Sequence, residues 1–227
     1  MIFKKIKEQF NKRLSNWVYY PISRLWYPRR YSYVPDPMKI IWVNVEDIYG
    51  WYRGNKYQEI TFPGQIKGGD WSRKVTPKDI MLQKSNKYQG VVEHFKQGLP
   101  WMETSLFKNR YALKLSENEL KKKAEQYTAT HDKLYHDLKN NGFKVPTKEN
   151  IIAPIYICIG PEGEILWTVD GNHRLFMAMI LEINKIPVMI LKRHEKWQLI
   201  RDQVIAGNDD KLFRRFSKHP DIISEIN

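Results

Sequence analysis

Cysteine occurs once in the 227 residues, at Cys158. An internal disulfide and any cysteine-based zinc site are therefore excluded. Cys158 sits in an apolar strand pattern, so a buried inert thiol is expected, compatible with a reducing compartment. No apolar run approaches the roughly 20 residues needed to span a bilayer. The N-terminus lacks the apolar core and small-residue cleavage site of a secretory signal. Together these predict a cytoplasmic protein. Acidic residues are in short supply, 25 against 38 Lys and Arg, for a formal net charge of +13. Such an excess favours nucleotides, nucleic acid or an anionic lipid surface without choosing among them, and it also serves solubility alone. Internal repeats and low-complexity tracts are lacking too.

What is present suits one domain with extensions. Residues 1–18 predict an amphipathic helix, with Ile2, Ile6, Phe10, Leu14 and Trp17 at helical spacing among Lys4, Lys5, Lys7, Lys12 and Arg13. Tyr19, Tyr20, Trp26, Tyr27, Arg29 and Arg30 follow, broken by prolines. This composition suits a peripheral contact with anionic membrane through residues 1–30; the alternatives are docking on the chain's own domain or a subunit contact. Pro35-Asp36-Pro37 marks a boundary, giving segments 1–34, 35–205 and 206–227, the last a helical extension. Residues 39–48 predict a first strand, and 77–83 and 88–97 short helices. Ser116 and Glu119 form a capping box opening a helix that Gly142 closes. His131 on its apolar face reads as a structural histidine.

The stretch Asp170-Gly171-Asn172-His173-Arg174 organises the chain. An apolar run over 165–169 precedes it and a helical pattern, Leu175, Phe176, Ala178, Met179 and Leu181, follows. A strand turning into a helix leaves backbone N–H groups free at the helix start, an anion site when joined to the helix dipole. Gly171 permits close approach of backbone or phosphate. Arg174 can grip a phosphate with two parallel hydrogen bonds. Asp170 can act as base or cation ligand, and His173 as phosphate donor or proton shuttle. The plain alternative makes Asp170 an N-cap and pairs Arg174 with a surface acid.

Other candidates are weaker. Glycines at 64, 68 and 69 flank Asp70-Trp71-Ser72-Arg73, a sharply bent loop in which Asp70 and Arg73 can contact substrate and Trp71 can stack or plug the core. Arg193 and His194 follow a predicted strand over 186–191, where binding residues often lie. Glu46 and Asp47 end the first strand, facing a site or capping a turn.

The hairpin over 155–169, the Asp170-Gly171-Asn172-His173-Arg174 motif with Ala178, and the later Ile186-Pro187-Val188 resemble the ParB/sulfiredoxin superfamily. The resemblance implies an α+β fold with a mixed sheet and flanking helices, to which the N-terminal amphipathic helix is added. Sulfiredoxins carry a cysteine where this chain has Asn172, which argues against sulfinic acid reduction. The chain after the 186–191 strand and its helix is too short for the helix-turn-helix region of ParB partition proteins. The motif is most similar to small-molecule kinases of this fold, such as the free-serine kinases. That likeness implies a phosphotransferase using ATP or another nucleotide with Mg²⁺ on a small or lipid-linked hydroxyl. Asp170 would orient or deprotonate the acceptor and hold the metal. Gly171, Asn172, His173 and Arg174 would bind phosphates, and Glu46 is the loose counterpart of an acidic residue after the first strand. Two alternatives stay open: a ParB-like nuclease or DNA-modification accessory protein, and a non-catalytic nucleotide-sensing adaptor.

Overall fold

Burial alternates along the apolar stretch at the start of the main domain, with Ile41 and Val43 inside and Trp42 outside, the period of a half-covered strand. The computed structural model describes residues 25–54, 63–144, 155–168 and 170–226. The amphipathic helix expected over 1–18 lies outside the described residues, as do Val169 and the lead-in over 148–154.

The strand expected over 39–48 is two strands, β1 (Ile40–Asn44) and β2 (Ile48–Tyr52). Between them Asn44 Nδ2 donates to Asp47 Oδ2 at 2.7 Å, and Asp47 N donates to Asn44 O at 3.2 Å, closing a tight turn. β3 (Gln65–Lys67) and β4 (Val75–Pro77) follow, then helices α1 (Lys78–Lys84) and α2 (Asn86–Phe95). Ser85 caps α2, its Oγ accepting from Tyr88 N at 3.3 Å. The expected capping box opens α3 (Glu117–Tyr127), with Ser116 N donating to Glu119 Oε2 at 2.9 Å. That helix passes through a π turn, Thr128–Asp132, into α4 (Lys133–Asn141), and Gly142 at φ 64° ends it. β5 (Ile155–Ile159) and β6 (Ile165–Trp167) form a hairpin, followed by α5 (Asn172–Ile180), β7 (Lys185–His194), α6 (Glu195–Ala206), α7 (Asp210–Phe216) and α8 (Pro220–Ile226).

The strands make one seven-stranded mixed sheet, ordered β1-β7-β5-β6-β2-β4, with β3 also on β7. β5/β7, β2/β6 and β3/β7 run parallel; the other pairs are antiparallel. Four inter-strand steps separate β1 from β2, about 19 Å in a flat sheet at about 4.8 Å per step. Only residues 45–47 join them, and the corresponding Cα steps reach at most about 15 Å. The sheet is therefore strongly curled. The link leaves β1 beside the beginning of β7, where Val45 N donates to Asn184 O at 2.9 Å. α5 is buried nearly all round: Leu175, Phe176, Met177, Ala178 and Ile180 sit in the main core with Val43, Ile157, Trp167 and Val188.

The described residues on either side of the expected boundaries contact the sheet and its helices. Tyr27 Oη accepts from Ile66 N at 3.0 Å, and Ser32 N donates to Asp202 at 2.9 Å, tying the stretch before Pro35 to β3 and α6. Ile222 on α8 is fully buried in the main core, so the C-terminal helices belong to the same body as the sheet. Among the described residues no helix is long and apolar enough to cross a membrane.

Candidate functional site

The turn from β6 into α5 is fixed by short-range bonds. Thr168 N and Oγ1 both donate to Tyr156 O, at 3.2 and 3.0 Å, and Thr168 Oγ1 accepts from Asp170 N at 3.5 Å. Gly171 follows at φ 87°, a left-handed conformation that favours glycine. A Cβ there would lie 3.0 Å from Ile155 Cα, so the turn presses directly on β5. Gly171 itself is the N-cap, and no side chain caps the first turn of α5. The plain alternative with Asp170 as cap is thus not what forms; Asp170 is exposed. Asn172 is buried, and its Oδ1 has no hydrogen-bond partner.

Consecutive helical residues point about 100° apart, and His173 and Arg174 diverge accordingly. Arg174 is half-buried on the β5 side. Burial lowers its pKa, and the nearby Tyr156 acts in the opposite direction. The Tyr156 phenol is raised by burial and by the charge of Asp170, against the pull of Arg174. Tyr156, Asp170 and Arg174 thus share one electrostatic neighbourhood. The ion pairs among the described residues include none to Arg174.

His173 turns the other way, against α3 and its π turn. Its ring meets His131 at 4.3 Å and Tyr127 at 5.6 Å between centres, both edge to face. His131 stacks on Tyr127 at 4.2 Å, and Tyr127 shares a 2.6 Å hydroxyl contact with Tyr111. Lys123 Nζ lies over the Tyr111 and Tyr127 rings at 5.7 and 5.5 Å. His173 Nε2 is buried without a partner. Burial, then the charges of His131, Lys87, Arg110 and Lys123, push its pKa down to about 3, so the ring is neutral at physiological pH. His131 is lowered as well, first by burial. Arg110 and Tyr111 come from a second π turn, Phe107–Tyr111. Two such turns around one imidazole pair fit the tendency of π turns to occur at functional sites.

The structure separates the remaining candidates from the motif. Glu46 lies by the opposite end of α5. There it lines a cleft of about 280 Å³ with Lys78, Leu82, Tyr88, Met179 and Glu182, and its carbonyl accepts from Lys78 Nζ at 2.9 Å. Asp70 and Arg73 are exposed and pair with each other at 3.1 Å. Trp71 is buried: Nε1 donates to Lys67 O at 2.9 Å, and the ring packs 4.3 Å from Lys192 Nζ and 5.0 Å from Tyr52. Its side chain plugs the core rather than offering a face to substrate. Arg193 and His194 do not follow a strand but lie within β7, which runs on to pair with β3. Arg193 is buried in a two-pronged pair with Asp221, Nε–Oδ2 at 2.9 Å and Nη2–Oδ1 at 2.6 Å. His194 accepts from Lys196 N through Nδ1 at 3.1 Å, capping α6, and donates from Nε2 to Gly69 O at 2.9 Å. Both side chains are engaged within the fold.

Sequence reasoning missed Lys87, Arg110, Lys123, Tyr127 and Tyr156, and it placed His131 in the core. No local signal marks them, since they come together only through tertiary packing on α5. Among the described residues no three His, Cys, Asp or Glu side chains are grouped to hold a metal ion. The chain matches no protein-family model, no curated protein and no solved structure.

Proposed function

We propose that the chain is a nucleotide-dependent phosphotransferase of ParB/sulfiredoxin-like fold, acting on a hydroxyl of a small or lipid-linked acceptor. The observation that carries this reading is Arg174. A half-buried guanidinium with no carboxylate partner among the described residues stands at the uncapped N-terminus of a nine-residue helix, beside an exposed carboxylate. A buried cation without a counter-charge is costly to a fold. Phosphate oxygens supply that charge and accept from the free N–H groups of the first turn.

In this reading the terminal phosphates of the donor lie across the start of α5, reached closely because Gly171 has no side chain. Asp170 accepts the proton of the acceptor hydroxyl. The hydroxyl oxygen bonds to the terminal phosphorus, the bond from phosphorus to its bridging oxygen breaks, and the nucleoside diphosphate leaves with that electron pair. A single carboxylate beside a phosphate site suits Mg²⁺, which takes one or two protein carboxylates and completes its shell with phosphate oxygens and water. Asp170 would hold it, and the ion would screen charge between the phosphates.

The test is thermal shift with ATP, CTP and GTP in Mg²⁺. A ligand that binds only the folded state stabilises by about 2.7 kcal/mol at a hundredfold excess over its Kd. At least one nucleotide raises the Tm of the natural protein, Asp170→Asn keeps that rise, and Arg174→Ala loses it. Full retention by Arg174→Ala, or no rise with any nucleotide, overturns the reading.

A further inference from the structure

The cleft at the C-terminal end of α5 has apolar walls, made by Val45, Leu82, Ala178, Met179 and Ile183. Tyr88 joins them, its ring held edge to face on Phe176 with 5.5 Å between centres. The polar part of the lining is unbalanced. Two acidic residues contribute to it, Glu46 from the β1–β2 turn and Glu182 from the link between α5 and β7. Against them stands one ammonium, Lys78 Nζ, which donates to Glu46 O at 2.9 Å. In a chain of net charge +13 this is a local acidic patch, and the carbonyl end of α5 adds negative potential beside it.

Glu182 also holds a backbone conformation that favours glycine. Its φ is 57°, the one positive value outside glycine among the described residues. The residue closes α5 as a glycine commonly does: Ile183 N donates to Ala178 O at 3.0 Å and Glu182 N to Met179 O at 3.3 Å. Such strained positions cluster at binding and catalytic sites.

We propose that this cleft binds a small organic cation, an alkylammonium whose apolar body packs against Leu82, Met179 and Tyr88 and whose charge is met by Glu46 and Glu182. Its volume of about 280 Å³ falls just under the roughly 300–1,000 Å³ of ordinary ligand sites, which suits a few carbon atoms rather than a nucleotide. An aromatic ring attracts the same charge through its π face. An anion would meet two carboxylates and one ammonium already engaged. The cleft lies at the other end of α5 from Gly171, so the inference goes beyond the phosphotransferase reading and does not rest on it.

n-Butylammonium is the probe, titrated at constant ionic strength into the full chain labelled with ¹³C-methyl methionine. The Met179 methyl signal, assigned by its loss in Met179→Leu, reports from the cleft wall. It should shift saturably with butylammonium, at least fivefold more weakly with 1-butanol, and not with butyrate. Glu182→Gly removes a carboxylate and places glycine at the positive φ, so the denaturant midpoint should not fall while binding weakens at least threefold. Glu46→Gln, on an exposed turn, should weaken binding similarly, and the double variant should abolish it. A folded double variant that binds butylammonium undiminished overturns the proposal. So does equal binding of 1-butanol, or the lack of a saturable shift in the natural protein.

Discussion

His131 and His173 meet edge to face, their ring centres 4.3 Å apart and their planes inclined at 67°. Two imidazoles so close cannot both carry a proton without strong repulsion, and burial disfavours charge on either. The pair is a neutral polar surface set among cations.

That arrangement makes stability depend on acid. The pKa of His173 is near 3 in the fold against 6.5 unfolded. Between those values the unfolded chain binds a proton that the folded chain does not. The contribution is therefore complete above pH 6.5 and is lost progressively down to about 3, at about 1.4 kcal/mol per pH unit for one such group. His131 and His219, both lowered by burial, add loss in the same direction. Urea melts from pH 7.5 to 4.5 should show a falling midpoint. His173→Gln should flatten the slope by close to one proton.

Asp221 should be the most sensitive single carboxylate. Burial by itself would raise its pKa, yet Arg193, Arg201 and His219 hold it well below the usual range. It also accepts from Trp197 Nε1 at 2.9 Å. Asp221→Asn leaves two buried guanidinium groups short of a counter-charge and should cost about 3–5 kcal/mol, read as a shift in denaturant midpoint. A cost below about 1 kcal/mol would show that the pair contributes little.

Gly171→Ala combines a positive φ with a Cβ pressed 3.0 Å from backbone of β5. The expected loss is about 1–3 kcal/mol. Because the turn sets the start of α5, the nucleotide-dependent rise in Tm should shrink as well. Thermal melts with and without nucleotide measure both effects in one sample.

Trp71→Ala separates core packing from substrate stacking. Removing a buried indole that covers Lys192 and Tyr52 should destabilise by about 3–5 kcal/mol. Nucleotide affinity of the folded fraction should not change. Titration below the melting range, set beside a denaturant curve, tests the two halves; a tenfold affinity loss would return Trp71 to the binding site.

Much of the fold follows from local pattern. Ser116 and Glu119 announce α3, Gly142 ends the helix run, and the apolar runs on either side of Pro161-Glu162-Gly163 form the β5–β6 hairpin. The turn at Asp170-Gly171 and the start of α5 at Asn172 are legible for the same reason: glycine and a following apolar helix are short-range signals. Lys192-Arg193-His194 misled because a charged triplet reads as the end of a strand. Their partners, Tyr52, Asp221 and Gly69, are distant in sequence, and only those partners make burial tolerable. The cations whose charge acts on His173 were invisible for a related reason. Lys87, Arg110 and Lys123 sit on separate elements, and nothing within a helical turn of any of them points to His173.

The clasp between Arg193 and Asp221 has a kinetic consequence. The two residues are 28 positions apart, with α6 and α7 between them. Until α8 docks, burying the Arg193 guanidinium on β7 would take it from water without giving it a carboxylate. β7 therefore cannot settle fully between β1 and β5 before the chain 28 residues downstream has arrived. The late helices are thus a condition for closing the sheet, and a non-local contact of this kind slows folding relative to the local helices that precede it.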